Sequence, residues 1–325
     1  MKPEIKNRMN DLILEQARQR YAIGADQLEE LPAFESFMYG FGRDDGDYIL
    51  RLGHSLRRTP DLYKGEVDWI NYLAAGGAGV AQAILSTNGH LVEAIDDGQG
   101  EQFLATAFVR ARGGHHRGWS DELIARYGRL MGRIHHLSQS YTVSDPAWKR
   151  PLWDNDVMLD VHAVLSNGYD KISAVYDTLM NHLQSLPQPT DGYGMIHQDA
   201  HAGNFFVDDA GAITLFDFDD CVYGHFVYDL AMVLFYAVTN RPDAAAFAAD
   251  FWPKFWEAYR SQHALDPQWL QEMPQYMKLR EIDLFAIIQR DIPPQAQASD
   301  GWLASFMNGR KERIEQEIPY LDYQF

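Results

Sequence analysis

Three polar residues set between short apolar runs constrain the fold of this chain more than any other feature. Asp199 stands five positions before Asn204, and Asp217 follows thirteen positions later. The apolar runs before Asp199, after Asn204 and before Asp217 predict three short buried strands, with a turn at 208–211. The pattern predicts a small hairpin that brings the three polar side chains to one end.

This residue set predicts a phosphoryl-transfer site. A carboxylate such as Asp199 can orient a substrate hydroxyl and accept its proton, while Asn204 and Asp217 offer the oxygen ligands that a Mg²⁺ ion bridging two phosphates requires. Two alternatives remain open. The residues could only cap a hairpin turn, or His197, Asp199 and His201 could bind Zn²⁺ or Mn²⁺ from alternate positions of one strand.

The segment from His197 to Asn204 and the sequence around Asp217 resemble the H-x-D-x4-N and D-F-D motifs of the aminoglycoside phosphotransferase and choline kinase superfamily. The resemblance covers residues 34–318 and is strongest at 195–231. It implies a bilobal, protein-kinase-like α+β fold and transfer of the γ-phosphoryl group of ATP or GTP, with Mg²⁺, to a hydroxyl. Asp199 would be catalytic, and Asn204 and Asp217 would bind the metal.

Arg51 interrupts the apolar strand 48–52, where a long cation is costly unless it reaches a partner. By resemblance, Arg51 pairs with Glu66 of a following helix and contacts the nucleotide phosphates; the alternative is an outward-facing strand arginine. The segment 35–39 resembles the E-N-x-V-Y element that covers the nucleotide, with Ser36 in place of the usual Asn.

Further nucleotide contacts and supporting residues also follow from the resemblance. The connection 104–109 would be the hinge between the lobes, where the backbone of Ala107 and Phe108 would read adenine. His197 would hydrogen-bond behind the catalytic loop. Asp229 would accept backbone N–H groups of that loop, although an ordinary helix-start carboxylate is the alternative.

The hydrophobic pattern divides the chain into three parts: a helical extension at 1–24, a small sheet-rich N-lobe with one helix at 25–110, and a larger, mainly helical C-lobe at 111–325. Ser120 is the predicted N-cap of the first C-lobe helix. Strands are predicted at 37–41, 48–52, 91–95 and 103–109, and helices at 5–21, 65–75, 156–166, 169–186, 226–239, 243–262, 267–289 and 301–317.

Composition narrows the cellular context. The longest apolar run, 230–238, is too short to cross a bilayer, and the N-terminus lacks a signal-peptide pattern, so we expect a cytoplasmic protein without a membrane partner. Cys221 is the single cysteine and cannot form an internal disulfide. The net charge of −18 disfavours nucleic acid and favours a cationic acceptor, unless it serves only solubility.

Acidic and aromatic residues that could hold an ammonium group occur in two regions: Trp153, Asp154, Asn155 and Asp156, and later Tyr276, Glu281, Asp283, Trp302 and Phe306. The predicted function is therefore an ATP-dependent phosphotransferase that acts on a small, amine-bearing molecule such as an aminoglycoside, choline or homoserine. A Ser/Thr protein kinase is one alternative, although no A-P-E element follows Asp217. A catalytically silent nucleotide-binding scaffold is the other.

Overall fold

A computed structural model describes residues 1–33, 35–155, 159–166, 168–299 and 301–325. Phe34, where the family resemblance begins, and Asp156, in the first acidic-aromatic segment, lie outside the described residues. The helix predicted at 156–166 lies partly outside them. The described chain forms two compact units. The first comprises Met1–Gly114, Tyr141–Arg150 and Phe205–Asp219, and the second comprises His115–Ser140, Pro151–Asn204 and Asp220–Phe325.

Most helices follow the predicted pattern with shifted ends, but the segment predicted as one helix at 301–317 forms two, the start of the one predicted at 267–289 is a 3₁₀ turn, and a short helix at 294–299 was not predicted. They are α1 (Pro3–Arg8), α2 (Asp11–Arg20), α3 (Pro60–Ala75), α4 (Asp121–Ser138), α5 (Val161–Val164), α6 (Asp170–Gln184), α7 (Phe226–Val238), α8 (Ala244–Arg260), α9 (Met273–Asp291), α10 (Pro294–Ser299), α11 (Gly301–Met307) and α12 (Arg310–Glu315). The strands are β1 (Glu29–Leu31), β2 (Phe37–Arg43), β3 (Gly46–His54), β4 (Ala83–Ile84), β5 (Glu93–Asp96), β6 (Gln102–Val109), β7 (Tyr193–Ile196), β8 (Phe205–Val207), β9 (Ile213–Leu215) and β10 (Val222–His225).

An antiparallel six-stranded sheet forms the centre of the first unit, in the order β1-β2-β3-β6-β4, with β5 also paired to β6. Buried residues of β3 and β6, such as Leu50 and Phe103, share a core with Ile13 and Ala17 of α2. The strand β3 is buried along most of its length, which places Arg51 inside this sheet.

The single helix predicted at 5–21 is two helices, because Asn10 starts a new one. Its backbone is extended, and its Oδ1 accepts hydrogen bonds from the N–H groups of Leu12 at 3.0 Å and Ile13 at 3.1 Å. An asparagine in this conformation is a favoured N-cap, and it ends the preceding helix α1 at Arg8.

The hairpin β8–β9 is present with the predicted turn at 208–211, but β7 does not join it. Instead, β7 pairs with β10, a strand that the sequence pattern did not predict. The prediction that one hairpin carries all three polar residues is therefore wrong. The chain turns away after β7, where Gln198 has a left-handed backbone and a 3₁₀ turn covers Ala202–Asn204.

The second unit is mainly helical, and two glycines allow α4 and α8 to cross at short distance. An added Cβ at Gly128 or Gly132 of α4 would lie 2.4 Å from a backbone oxygen of α8, so only glycine allows this approach. Helix α7 is almost entirely buried and, apart from Asp229, mostly apolar, as expected for a core helix. Among the described helices, none has the length and hydropathy needed to cross a membrane.

Candidate active site

The loop that carries Asp199 is held by a buried carboxylate from α7. Asp229 is fully buried; its Oδ2 accepts a hydrogen bond from the backbone N–H of His197 at 2.9 Å, and its Oδ1 accepts one from Gln198 at 2.7 Å. The contact predicted between Asp229 and the loop backbone is therefore present. His197 is also buried, and its Nδ1 accepts a hydrogen bond from the Asp199 N–H at 3.3 Å.

Helix α4 adds two contacts that sequence reasoning missed. The hydroxyl of Tyr127 donates to the carbonyl oxygen of Ala200 at 2.6 Å. The imidazole of His135 is buried, with Nε2 3.2 Å from Asp229 and Nδ1 2.8 Å from the Tyr259 hydroxyl. The loop is thus fixed by hydrogen bonds that lie within the second unit.

Three side chains surround the Asp199 carboxylate. Arg280 of α9 donates from Nη2 to Oδ1 at 2.5 Å, and Asn204 donates from Nδ2 to Oδ2 at 3.2 Å. His201 Nε2 lies 3.4 Å from the same Oδ2. Burial by itself raises the pKa of Asp199, but the charge of Arg280 and the His201 contact outweigh it, and the pKa falls to about 2. Asp199 is therefore ionised throughout the neutral range.

Arg280 was not identified from the sequence, because 81 residues separate it from Asp199 and no local pattern marks it. Tyr236 of α7 holds the guanidinium on the other side. Its hydroxyl accepts from Arg280 Nε at 3.0 Å and from Nη2 at 2.5 Å. The residue type of Arg280 is the one indication in the sequence of such a contact, since a long cation within an otherwise buried helix needs a partner.

The predicted metal ligands have donor groups that suit a hard divalent cation. Both side-chain hydrogen bonds of Asn204 use Nδ2, toward the carbonyl oxygen and Oδ2 of Asp199, so its amide oxygen remains as an acceptor. Asp217 follows β9 with a left-handed backbone (φ 63°), a conformation that Asp and Asn tolerate better than most residues. Amide and carboxylate oxygens are typical ligands of Mg²⁺ and Ca²⁺.

The alternative Zn²⁺ or Mn²⁺ site finds no support in the contacts. Within the described residues, no group of three or more His, Cys, Asp and Glu side chains is arranged to hold a metal ion.

Asp219, two residues after Asp217, forms ion pairs with Arg57 and Arg58 of the first unit. Burial opposes its ionisation, but these arginines lower the pKa of Asp219 to about 2.

The predicted ion pair between Arg51 and Glu66 is present in the first unit. Arg51 donates from Nη1 and Nη2 to the two Glu66 oxygens at 2.7 and 2.8 Å, and its Nε donates to Thr106 Oγ1 at 3.2 Å. Rings of Tyr63 and Phe108 flank the guanidinium at 4.9 and 5.0 Å. Burial works against the charge, but Glu66 raises the pKa of Arg51 above its ordinary value.

The predicted hinge at 104–109 is instead the central strand β6. Ala107 pairs with Leu50 on one side and Ile84 on the other, and Phe108 is likewise paired with β3 and β4. Backbone groups used in two strand ladders cannot read adenine, so that expectation for Ala107 and Phe108 is wrong. The chain leaves the first unit after Gly114. Ser36 lies immediately before β2 and is half-buried.

An aromatic cluster of the second unit adjoins Asp283 of α9. Tyr228 stacks on Tyr276 with centroids 4.8 Å apart, and Trp153 meets both rings edge-on. The Tyr228 hydroxyl hydrogen-bonds Asp283, and burial raises the pKa of Asp283 to about 7, although Arg280 and this hydrogen bond act in the opposite direction.

Glu281 is not available to an acceptor, because it is fully buried and paired with Lys278 and with Arg310. A cavity of about 390 Å³ in the second unit contains none of the predicted site residues. Arg241, Arg310 and Arg313 contribute to its lining, and their charges disfavour a cation there.

Comparison with known proteins decides the family. The family model described as "Phosphotransferase enzyme family" matches residues 27–274. The chain belongs to this family. The phosphotransferase is 35% identical over 321 residues to the amicoumacin kinase of Bacillus subtilis (strain 168). The aligned region covers 96% of this chain and 94% of that protein.

Solved structures show the same fold. An amicoumacin kinase, hAmiN, in complex with AMP-PNP, Ca²⁺ and Ami superposes with a TM-score of 0.93 at 29% identity, covering 100% of this chain and 98% of that one. A microcompartment-associated aminopropanol kinase superposes with a TM-score of 0.76 at 21% identity, covering 95% of this chain and 98% of that one. The phosphotransferase has the protein-kinase-like α+β fold that the sequence predicted, and it is a small-molecule kinase with a hydroxyl acceptor.

Proposed function

We propose that this phosphotransferase transfers the γ-phosphoryl group of ATP to a hydroxyl of a small, amine-bearing molecule of the amicoumacin or aminopropanol type. The observation that carries the proposal is the environment of Asp199. Its carboxylate is ionised and hydrogen-bonded from two sides, on a loop fixed by Asp229. The names of the similar kinases and the AMP-PNP in the hAmiN structure support the nucleotide and the acceptor class.

In the proposed reaction, Asp199 orients the acceptor hydroxyl and takes its proton as the hydroxyl oxygen bonds to the γ-phosphorus. The bond between that phosphorus and the β–γ bridging oxygen breaks, and ADP leaves. Catalysis then rests on alignment and electrostatics more than on a strong base. Bound by Asn204 Oδ1 and the Asp217 carboxylate, Mg²⁺ would neutralise phosphate charge; the Ca²⁺ in the hAmiN structure is consistent with such an ion.

Arg51 would neutralise further phosphate charge. Each of its terminal nitrogens spends one N–H on Glu66 and retains a second, so the ion pair with Glu66 leaves donors for phosphate oxygens. An arginine fork suits two such oxygens at once. Ser36, which precedes β2, would help to cover the nucleotide, as the family resemblance predicts.

The amine of the acceptor would bind at Asp283. This carboxylate hydrogen-bonds the Tyr228 hydroxyl and lies three positions along α9 from Arg280, which contacts Asp199. Both the carboxylate and an adjacent aromatic face would strengthen the binding of an ammonium group. The charge of −18 on the whole chain would favour the approach of a cation.

A turnover assay tests the proposal. Purified enzyme is given ATP or GTP with amicoumacin, aminopropanol, choline, homoserine, a neutral polyol and a generic protein substrate, and product phosphorylation is followed by mass spectrometry. We expect Asp199→Asn to lower kcat for the best acceptor by about 10²-fold or more while nucleotide binding persists. The matched control is Asp209→Asn, in the exposed β8–β9 turn. Equal turnover of the two variants would remove Asp199 from the mechanism.

A further inference from the structure

Arg280 makes the one contact between Asp199 and a permanently charged cation within the described part of the chain. The guanidinium is 12% exposed, and its Nη2 lies 2.5 Å from Asp199 Oδ1. An arginine stays protonated at every accessible pH. The negative charge of Asp199 is therefore matched by Arg280 under all assay conditions.

Tyr236 fixes Arg280 in place. The tyrosine hydroxyl accepts two hydrogen bonds from the guanidinium, through Nε at 3.0 Å and Nη2 at 2.5 Å. The guanidinium carbon also lies 5.3 Å from the centre of the Tyr236 ring. A long side chain whose Nε and Nη2 are both hydrogen-bonded loses most of its rotamer freedom. Tyr236 therefore fixes the position of Nη2 without any contribution from Asp199.

The Asp199 carboxylate is thereby held at both oxygens. Oδ1 accepts from Arg280, and Oδ2 accepts from Asn204. Two donors on different oxygens fix the side-chain torsion of Asp199, which a donor on one oxygen alone would leave free to rotate. The Asn204 contact is the longer of the two, at 3.2 Å, so Arg280 contributes the stronger constraint.

We propose that Arg280 is a positioning residue for the phosphoryl-transfer reaction: held by Tyr236, it keeps the Asp199 carboxylate in one orientation toward the acceptor hydroxyl. The inference rests on the proposed role of Asp199. A neighbouring cation makes Asp199 a weaker base, but proton transfer is a small part of this reaction's barrier and alignment is a large part. Losing the alignment of Asp199 should therefore lower kcat by more than the increased basicity of its carboxylate raises it.

The main test is a double-mutant cycle that joins Arg280→Met with Asp199→Asn. In the wild-type background we expect Arg280→Met to lower kcat by about 10- to 100-fold, the scale of a misplaced catalytic group, with the KM values for ATP and acceptor little changed. In the Asp199→Asn background the same substitution should lower kcat by less than about threefold, because a residue that acts through Asp199 loses its effect with it.

Two further variants separate positioning from folding. Arg280→Lys keeps the charge and should recover part of kcat. Tyr236→Phe leaves Arg280 in the chain but removes its anchor, so it should give the same pattern as Arg280→Met with a smaller loss. Arg290→Met, on the same helix and paired with exposed Asp291, is the control and should match wild type. If Arg280→Met fails to fold, the cycle is run with Tyr236→Phe.

The division of the effect between kcat and the acceptor KM gives a readout that a purely structural role would not change. Equal kcat losses in both backgrounds, or a rise in acceptor KM at constant kcat, would show that Arg280 acts independently of Asp199 and would overturn the inference. A fully active Asp199→Asn variant would instead refute the proposed function itself.

Discussion

Glu66→Gln should destabilise the first unit strongly, because it leaves the Arg51 charge buried without its counter-ion. Arg51 and Glu66 are 6% and 1% exposed, and two hydrogen bonds of 2.7 and 2.8 Å join them. Removing one partner of such a buried pair costs about 3–5 kcal/mol. Replacing both partners with apolar residues is often neutral or stabilising, because no charge then remains to be solvated.

Contacts that survive the substitution place the expected loss at the lower end of that range. Arg51 keeps its hydrogen bond to Thr106 at 3.2 Å and the rings of Tyr63 and Phe108 at 4.9 and 5.0 Å. Each cation–π contact contributes about 0.5–2 kcal/mol. We therefore expect Glu66→Gln to lose about 3 kcal/mol, and Arg51→Met/Glu66→Leu to lie within about 1 kcal/mol of wild type.

Equilibrium urea denaturation, followed by far-ultraviolet circular dichroism and by tryptophan fluorescence, measures these differences once the two transitions coincide. Glu122→Gln is the control, since its ion pair with Arg126 is exposed and its loss should leave the stability close to that of wild type. ATP binding, measured by calorimetry, should be lost in the stable double variant. A single variant as stable as the double one would refute the reasoning that this pair buries an otherwise uncompensated charge.

Three further predictions concern ligands. Mg²⁺ should strengthen ATP binding, and Asp217→Ala should abolish that gain; calorimetry with and without a chelator measures it, and equal affinities would contradict the metal assignment. Burial raises the pKa of Asp283 to about 7, so the KM for an amine acceptor should fall as pH rises through 7, and Asp283→Asn should remove this dependence. Ionic strength from about 0.02 to 0.3 M should raise the KM of a cationic acceptor but not its kcat, whereas a neutral analogue with the same hydroxyl should show no slope.

Short-range signals predicted much of the fold. Ser120 caps α4 as expected, with its hydroxyl accepting from the Leu123 N–H at 3.2 Å, because capping depends only on neighbouring residues. A cation in an apolar strand indicated that Arg51 needs a partner, and the family resemblance identified that partner as Glu66. Helix α3 begins at Pro60 instead of 65, because Thr59 and Pro60 form a helix start that the apolar spacing alone does not reveal.

Long-range pairing set the limit of sequence reasoning. Nothing near β7 indicates that β10 will be its partner, and nothing near Asp199 indicates Arg280, since both contacts join segments that only the folded chain brings together. The hinge assignment failed for a related reason. An apolar run such as 104–109 has the same pattern whether it is a connection or a central strand, and the partners on both sides decide which it is.

The fixed loop that carries Asp199, in its proposed catalytic role, has a consequence for the enzyme between substrate encounters. Asp229 and Tyr127 hold the loop through contacts that involve no ligand, so its geometry exists before any acceptor binds. Many regulated protein kinases assemble their machinery only after a signal, which protects ATP from wasteful hydrolysis. With Asp199 in its proposed role, a loop assembled in this way lacks that protection, and water would be able to take the place of the acceptor hydroxyl. The rate at which this enzyme hydrolyses ATP alone therefore measures how well the rest of the site excludes water.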